Sequence, residues 1–68
     1  MYGTEPKQVS KAYADNFRQF VPVEKTGVNE YMVTLPDGNY NNYFYQDGIC
    51  TQVEVHHSLY SLKFLLVR

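Results

Sequence analysis

A chain of 68 residues, 44% hydrophobic, 16% aromatic and 19% charged, suffices for one small domain and is too apolar to stay unfolded. Six Lys+Arg against seven Asp+Glu leave a formal charge of −1, which excludes a bulk electrostatic pull toward nucleic acid or an anionic membrane. One cysteine excludes an internal disulfide, and no apolar run approaches the roughly 20 residues of a spanning helix.

The opening Met1-Tyr2-Gly3-Thr4-Glu5 lacks the basic and apolar regions of a signal peptide, so a reduced, cytoplasmic protein is expected. From about Glu5 to Phe20 the spacing predicts an amphipathic helix. Thr4 suits an N-cap, and Pro6 is tolerated in a first turn. Val9, Tyr13, Phe17 and Phe20 fall within an arc of about 80° at helical pitch. Lys7, Lys11 and Arg18 share a second arc of about 40°, a basic stripe able to meet an acidic partner or a phosphate. Pro22 disfavours helical geometry at Val21, and Pro22 to Gly27 reads as a connector.

Beyond the connector the period changes to two. Val28 to Leu35 reads as a strand, followed by the turn signal Leu35-Pro36-Asp37-Gly38-Asn39, with glycine available for a G1 bulge. That bulge sets Thr34 opposite Tyr40, Met32 opposite Asn42 and Tyr31 opposite Tyr43. Tyr40 to Gln46 is the next strand, and Asp47-Gly48 is a preferred two-residue hairpin turn. A straight ladder from this turn sets Gln46 opposite Ile49, Tyr45 opposite Cys50, Phe44 opposite Thr51 and Asn42 opposite Val53. Ile49 to His56 and Tyr60 to Val67 complete the set. The expected fold is therefore α+β, a single domain over 1–68, with one N-terminal helix packed on a four-stranded antiparallel meander.

In that register Met32, Tyr40, Phe44, Ile49, Val53 and Val55 share one face, to be covered by the helix. Tyr31, Val33, Leu35, Tyr43 and Tyr45 share the other, which nothing in the chain would cover. Tyrosine joins a large apolar body to a polar end, which suits a surface buried in a complex. Tyr31, Val33, Tyr43 and Tyr45 are thus the candidate partner-binding residues. Leu65 joins them, because Leu62-Lys63-Phe64-Leu65-Leu66-Val67 is apolar on both sides and should be covered on both. Phe64 and Leu66 are expected beneath the helix, and Leu65 and Val67 against the second face or another copy.

Cys50, Glu54, His56 and His57 are the candidate ligands or catalysts. Cys50, Glu54 and His56 are expected on one strand face, yet Cys50 and His56 would lie roughly 20 Å apart, too far for a thiolate–imidazole dyad. Adjacent His56 and His57 point to opposite faces. No glycine motif cradles a phosphate, and no metal site, cofactor or catalytic constellation is expected. In size and in its Tyr- and Asn-rich composition the chain resembles small accessory or inhibitor proteins of bacteriophages. The expected function is a non-enzymatic protein-interaction module that binds a protein partner through the tyrosine-rich sheet face, with self-association into a homodimer open to it. The alternative is a single-stranded nucleic-acid binder that stacks bases on sheet aromatics and meets phosphates with Lys7, Lys11, Arg18 and Lys63.

Overall fold

Six strands follow one another in a computed structural model that describes Glu5 and residues 10–66. They are β1 (Lys11–Ala14), β2 (Gln19–Gly27), β3 (Glu30–Thr34), β4 (Tyr40–Gln46), β5 (Ile49–His56) and β6 (Ser61–Leu65). All pair antiparallel with their sequence neighbours, giving one sheet in the order β1-β2-β3-β4-β5-β6. The described residues contain no helix, so the α+β expectation is overturned.

The predicted helix is the first correction. Lys11–Ala14 and Gln19–Gly27 are strands, joined by a turn in which the Phe17 amide donates to the Ala14 carbonyl at 3.1 Å and Arg18 takes φ 53°. Lys7 and Val9 lie outside the described residues. Apolar spacing of three and four fits Tyr13, Phe17 and Phe20. However, alternation of period two fits Lys11-Ala12-Tyr13-Ala14 and Phe20-Val21-Pro22-Val23 equally well, and Asp15-Asn16 is a turn signal lying between them. A hairpin buries Val21 and Val23 against the rest of the sheet, whereas a helix over this span would leave the first half of β2 without its β1 partner.

The expected connector Pro22 to Gly27 belongs to β2, which serves two ladders. Its first half pairs with β1 from Gln19 to Pro22, and its second half pairs with β3 from Val23 onward. The Val23 amide donates to Ser10 at 3.0 Å, toward β1, so the neighbouring Pro22 nitrogen faces β3. The β2–β3 ladder begins one residue later, and no hydrogen bond is lost to the proline.

The β3–β4 register is the one the turn chemistry predicts: Tyr31 with Tyr43, Met32 with Asn42, Thr34 with Tyr40. Gly38 at φ 89° donates to the Leu35 carbonyl at 3.0 Å, and the Leu35 amide returns a bond to Asn39 at 2.8 Å. The β4–β5 hairpin also begins as expected, with Gln46 opposite Ile49 and Tyr45 opposite Cys50 around Asp47 (φ 52°) and Gly48 (φ 80°).

It then slips by one residue. Phe44 pairs with Gln52 and Tyr43 with Val53, leaving Thr51 as the extra residue of a β-bulge. A slip of one moves every later side chain to the other face. Val53 and Val55 therefore join Tyr31, Val33 and Tyr43, not Met32 and Phe44. The slip gathers the apolar side chains on one face, which a single-layer sheet requires. That face is concave, and its core is Val21, Val23, Tyr31, Val33, Tyr45, Cys50 and Val53. Ala12, Ala14, Leu35, Tyr43, Val55 and Leu66 pack around it.

Strand β6 ends the sheet, beyond the tight His57-Ser58-Leu59-Tyr60 hairpin. All five of its residues are exposed. Phe64, expected beneath a helix, is 48% exposed, and Leu66 packs against the core of the same concave face. Val67 lies outside the described residues. No helix among the described residues is long and apolar enough to cross a membrane.

Candidate interaction surface

The tyrosine face lies inside the curl of the sheet. Tyr31, Val33 and Tyr45 are buried and Tyr43 is half-buried, so of the five candidate partner residues only Leu65, 70% exposed, reaches the surface. Tyr31 and Tyr45 meet edge to face, with ring centroids 5.6 Å apart. The Tyr31 hydroxyl donates to a Glu5 carboxylate oxygen at 2.6 Å, while the Glu5 amide donates to the Gly48 carbonyl at 2.7 Å. This clasp ties residue 5 to β3 and to the β4–β5 turn. The carboxylate holding the Tyr31 proton pushes that phenol up from its ordinary value, and burial adds to the effect.

Around Tyr43 the concave face stays open. Hollows of about 270 Å³ on either side share Asn41 and Tyr43 as common walls, one closed by Phe17 of the β1–β2 turn and the other by Phe64 of β6. Burial raises the Tyr43 phenol, partly offset by the neighbouring Asn41 amide. Among the described residues, two buried side-chain polar atoms have no hydrogen-bond partner, Asn41 Oδ1 and Tyr45 Oη. Burial, with smaller contributions from Cys50, Tyr43, Tyr31 and Glu5, pushes the Tyr45 phenol up to about 12.

An unpartnered buried hydroxyl costs stability, whereas its ring contributes it. Tyr45→Phe is therefore expected to match the wild type within about 1 kcal/mol at neutral pH, or to exceed it, by urea midpoint. The sign at high pH follows from the raised phenol. The folded state holds its proton more strongly than the unfolded one, so stability is full below the ordinary value of 10.0 and falls as pH rises toward 12. Between pH about 9 and about 11 the variant should lose less stability than the wild type.

The convex face carries a polar cluster on β5. Glu54 accepts from Gln52 Nε2 at 3.0 Å and lies 3.2 Å from His56 Nε2, and Tyr40 stacks on the His56 ring at 4.6 Å. The His56 bond holds the Glu54 carboxyl below its ordinary range, with help from Asn42 and Lys63. Cys50 stays opposite Tyr45 on the concave face as expected, buried at 4% exposure, whereas the bulge carries Glu54 and His56, expected beside it, to the convex side. His57 stacks on Tyr60 at 4.6 Å. Among the described residues no three His, Cys, Asp or Glu converge as metal ligands.

The basic stripe disappears with the helix that would have carried it. Lys11 lies on β1 with Nζ 5.0 Å from the centre of the exposed Phe20 ring, and Arg18 occupies the β1–β2 turn. Lys63 stands on β6 opposite Glu54.

The edge strand β6 is the most distinctive surface. Leu62 and Phe64 are 47% and 48% exposed on its concave side, and Leu65 is exposed on its convex side. Leu59 and Tyr60 extend the patch into the hairpin at 86% and 49%. His57 and Tyr60 exchange backbone bonds, and the Leu66 amide donates to Thr51 at 2.9 Å. Backbone groups of Leu62 and Phe64, in phase with Tyr60 and Leu66, therefore point to β5. Those of Ser61, Lys63 and Leu65 point outward, and no described strand pairs with them. The continuous apolar run from Phe64 to Val67 marked this strand in the sequence. The outward phase of its amides could not be read there.

Residues 1–67 match the family described as a domain of unknown function, DUF6134, and the chain belongs to it. No curated protein and no solved structure matches the chain.

Proposed function

We propose that this chain is a non-catalytic binding module that takes up a strand of a protein partner along the outer edge of β6. One observation carries the reading: an edge strand exposed at all five residues, with Leu62 and Phe64 on one side and Leu65 on the other, and with the amides and carbonyls of Ser61, Lys63 and Leu65 directed outward. Strand addition draws affinity from such backbone groups and specificity from the alternating side chains. Folded proteins blunt an edge of this composition or cover it, and Lys63 is the one charge on β6 that opposes pairing. Leu65 keeps its role as a partner-binding residue, and Leu62 and Phe64 join it. The cytoplasm is the setting in which the lone, buried Cys50 thiol would persist.

The outward amide supplies the test. Proline at an edge position whose N–H faces solvent spares the internal ladder. Lys63→Pro is thus expected to keep the circular dichroism spectrum and a thermal midpoint within a few degrees of wild type while removing one outward donor. As baits, wild type should retain proteins that Lys63→Pro and Leu65→Asp both release. Retention of the same proteins by all three baits would overturn strand addition at β6.

A further inference from the structure

Given that reading of β6, we infer that the strand it takes up is β6 of a second copy, antiparallel, about a two-fold axis through Phe64. The phase of the backbone restricts the choices. Ser61, Lys63 and Leu65 face outward, so these residues must form the hydrogen-bonded pairs of any new ladder. A two-fold at Lys63 would set two ammonium groups directly opposite each other, a destabilising like-charge pair. A two-fold at Leu62 would set Leu65 against the hairpin residue Leu59 of the partner instead of a strand.

A two-fold at Phe64 satisfies every outward group near the axis. Lys63 exchanges both backbone bonds with the partner's Leu65, and Leu65 with the partner's Lys63. On the concave side Phe64 meets the partner's Phe64, and Leu62 meets the partner's Leu66. That apolar row runs on into the hollow beside Tyr43, which Phe64 and Leu66 already line. Cross-strand aromatic pairs of this kind add to sheet stability. A formal charge of −1 per copy opposes association only weakly. Five residues span only about 17 Å, so the contact falls short of the ~1,200 Å² of a standard stable interface. The dimer is therefore concentration-dependent.

Single cysteines placed along β6 read the register, with the buried Cys50 retained. At the axis, opposed residues of a non-hydrogen-bonded pair have Cα atoms about 4.5 Å apart, within disulfide range. Two copies of position 63 would be about 8–9 Å apart, beyond it. In a glutathione redox buffer at about 500 µM protein, chosen to exceed the weak affinity of so small a contact, Phe64→Cys is expected to form a linked dimer. Lys63→Cys and Leu65→Cys should remain mostly unlinked. Wild-type sedimentation equilibrium should show a monomer–dimer exchange that Lys63→Pro abolishes. Preferential linking at position 63 would overturn the Phe64 axis. A wild type that stays monomeric at this concentration would overturn the second copy as occupant. Differential capture by the wild-type and Lys63→Pro baits would then still stand for strand addition to another protein, so the two failures are distinguishable.

Discussion

Deleting Glu54 is expected to abolish the fold, whereas deleting Thr51, three positions earlier in the same strand, is expected to leave it standing. The bulge makes the difference. Thr51 is the residue that β5 holds in excess between Cys50, opposite Tyr45, and Gln52, opposite Phe44. Without it, the ladder runs straight from the hairpin turn into the pairs already present, and Val53 and Val55 keep their places on the concave face. What is lost is the bend, the Thr51 hydroxyl bond to the Phe44 carbonyl at 3.4 Å and the bond its carbonyl accepts from the Leu66 amide at 2.9 Å. The expected cost is no more than about 2 kcal/mol. Loss of Glu54 has only costly outlets. Flattening the bulge would restore the Val55 and His56 pairs but turn Val53 to the convex side and Gln52 inward. With the bulge kept, Val55 would turn outward and His56 inward, against Leu62 and Ser61. Each aliphatic side chain turned out forfeits about 1.5–3 kcal/mol, and a small domain has only a few in total. Far-ultraviolet circular dichroism and dispersion of the amide spectrum would separate the two deletions. A folded Glu54 deletion would disprove the register described for β5.

Tyr31→Ala is the second large effect. The ring is 6% exposed, packs edge to face on Tyr45 and lies 5.9 Å from the Lys25 ammonium. Truncating a buried aromatic costs about 3–5 kcal/mol, most or all of the stability available. Tyr31→Phe keeps the ring and removes the hydroxyl that Glu5 accepts, for an expected loss of about 1–2 kcal/mol by urea midpoint. If both substitutions cost the same, the clasp and not the ring would carry the stability of this position.

What could be read from the sequence follows from where its chemistry is local. Pro36-Asp37-Gly38 specifies a turn and a bulge through backbone geometry alone, so the β3–β4 register was legible residue by residue. Asp47-Gly48 likewise specified the first pairs of the next hairpin. The bulge at Thr51 carries no glycine or proline to mark it. It follows from a global demand, that Val53 and Val55 share a side with Tyr31, Val33 and Tyr43. Reading the ladder as straight produced a tyrosine face with no cover and assigned Tyr31, Val33 and Tyr45 to a partner. The N-terminal error has the opposite origin. Phe17 and Phe20 satisfy a helical period by coincidence, while β1 and β2 pair with each other as a hairpin and β3, which anchors β2, lies beyond the predicted helix. Leu65, expected to be covered by the second face or another copy, is 70% exposed, because β6 ends the meander and no described strand lies beyond it.

The meander order has a kinetic consequence. Each strand finds its partner one short turn away, so contact order is low for an all-β chain and the sheet can grow hairpin by hairpin. The Glu5 clasp is the exception. It joins residues 26 positions apart at Tyr31, and reaches farther still to Gly48. Closing so long a loop is rewarded only after β3, β4 and β5 have assembled the surface that receives it. The clasp is therefore expected to form late on folding. It is also the first to open under native conditions, so the Glu5 amide should exchange its hydrogen well before those of β4 and β5.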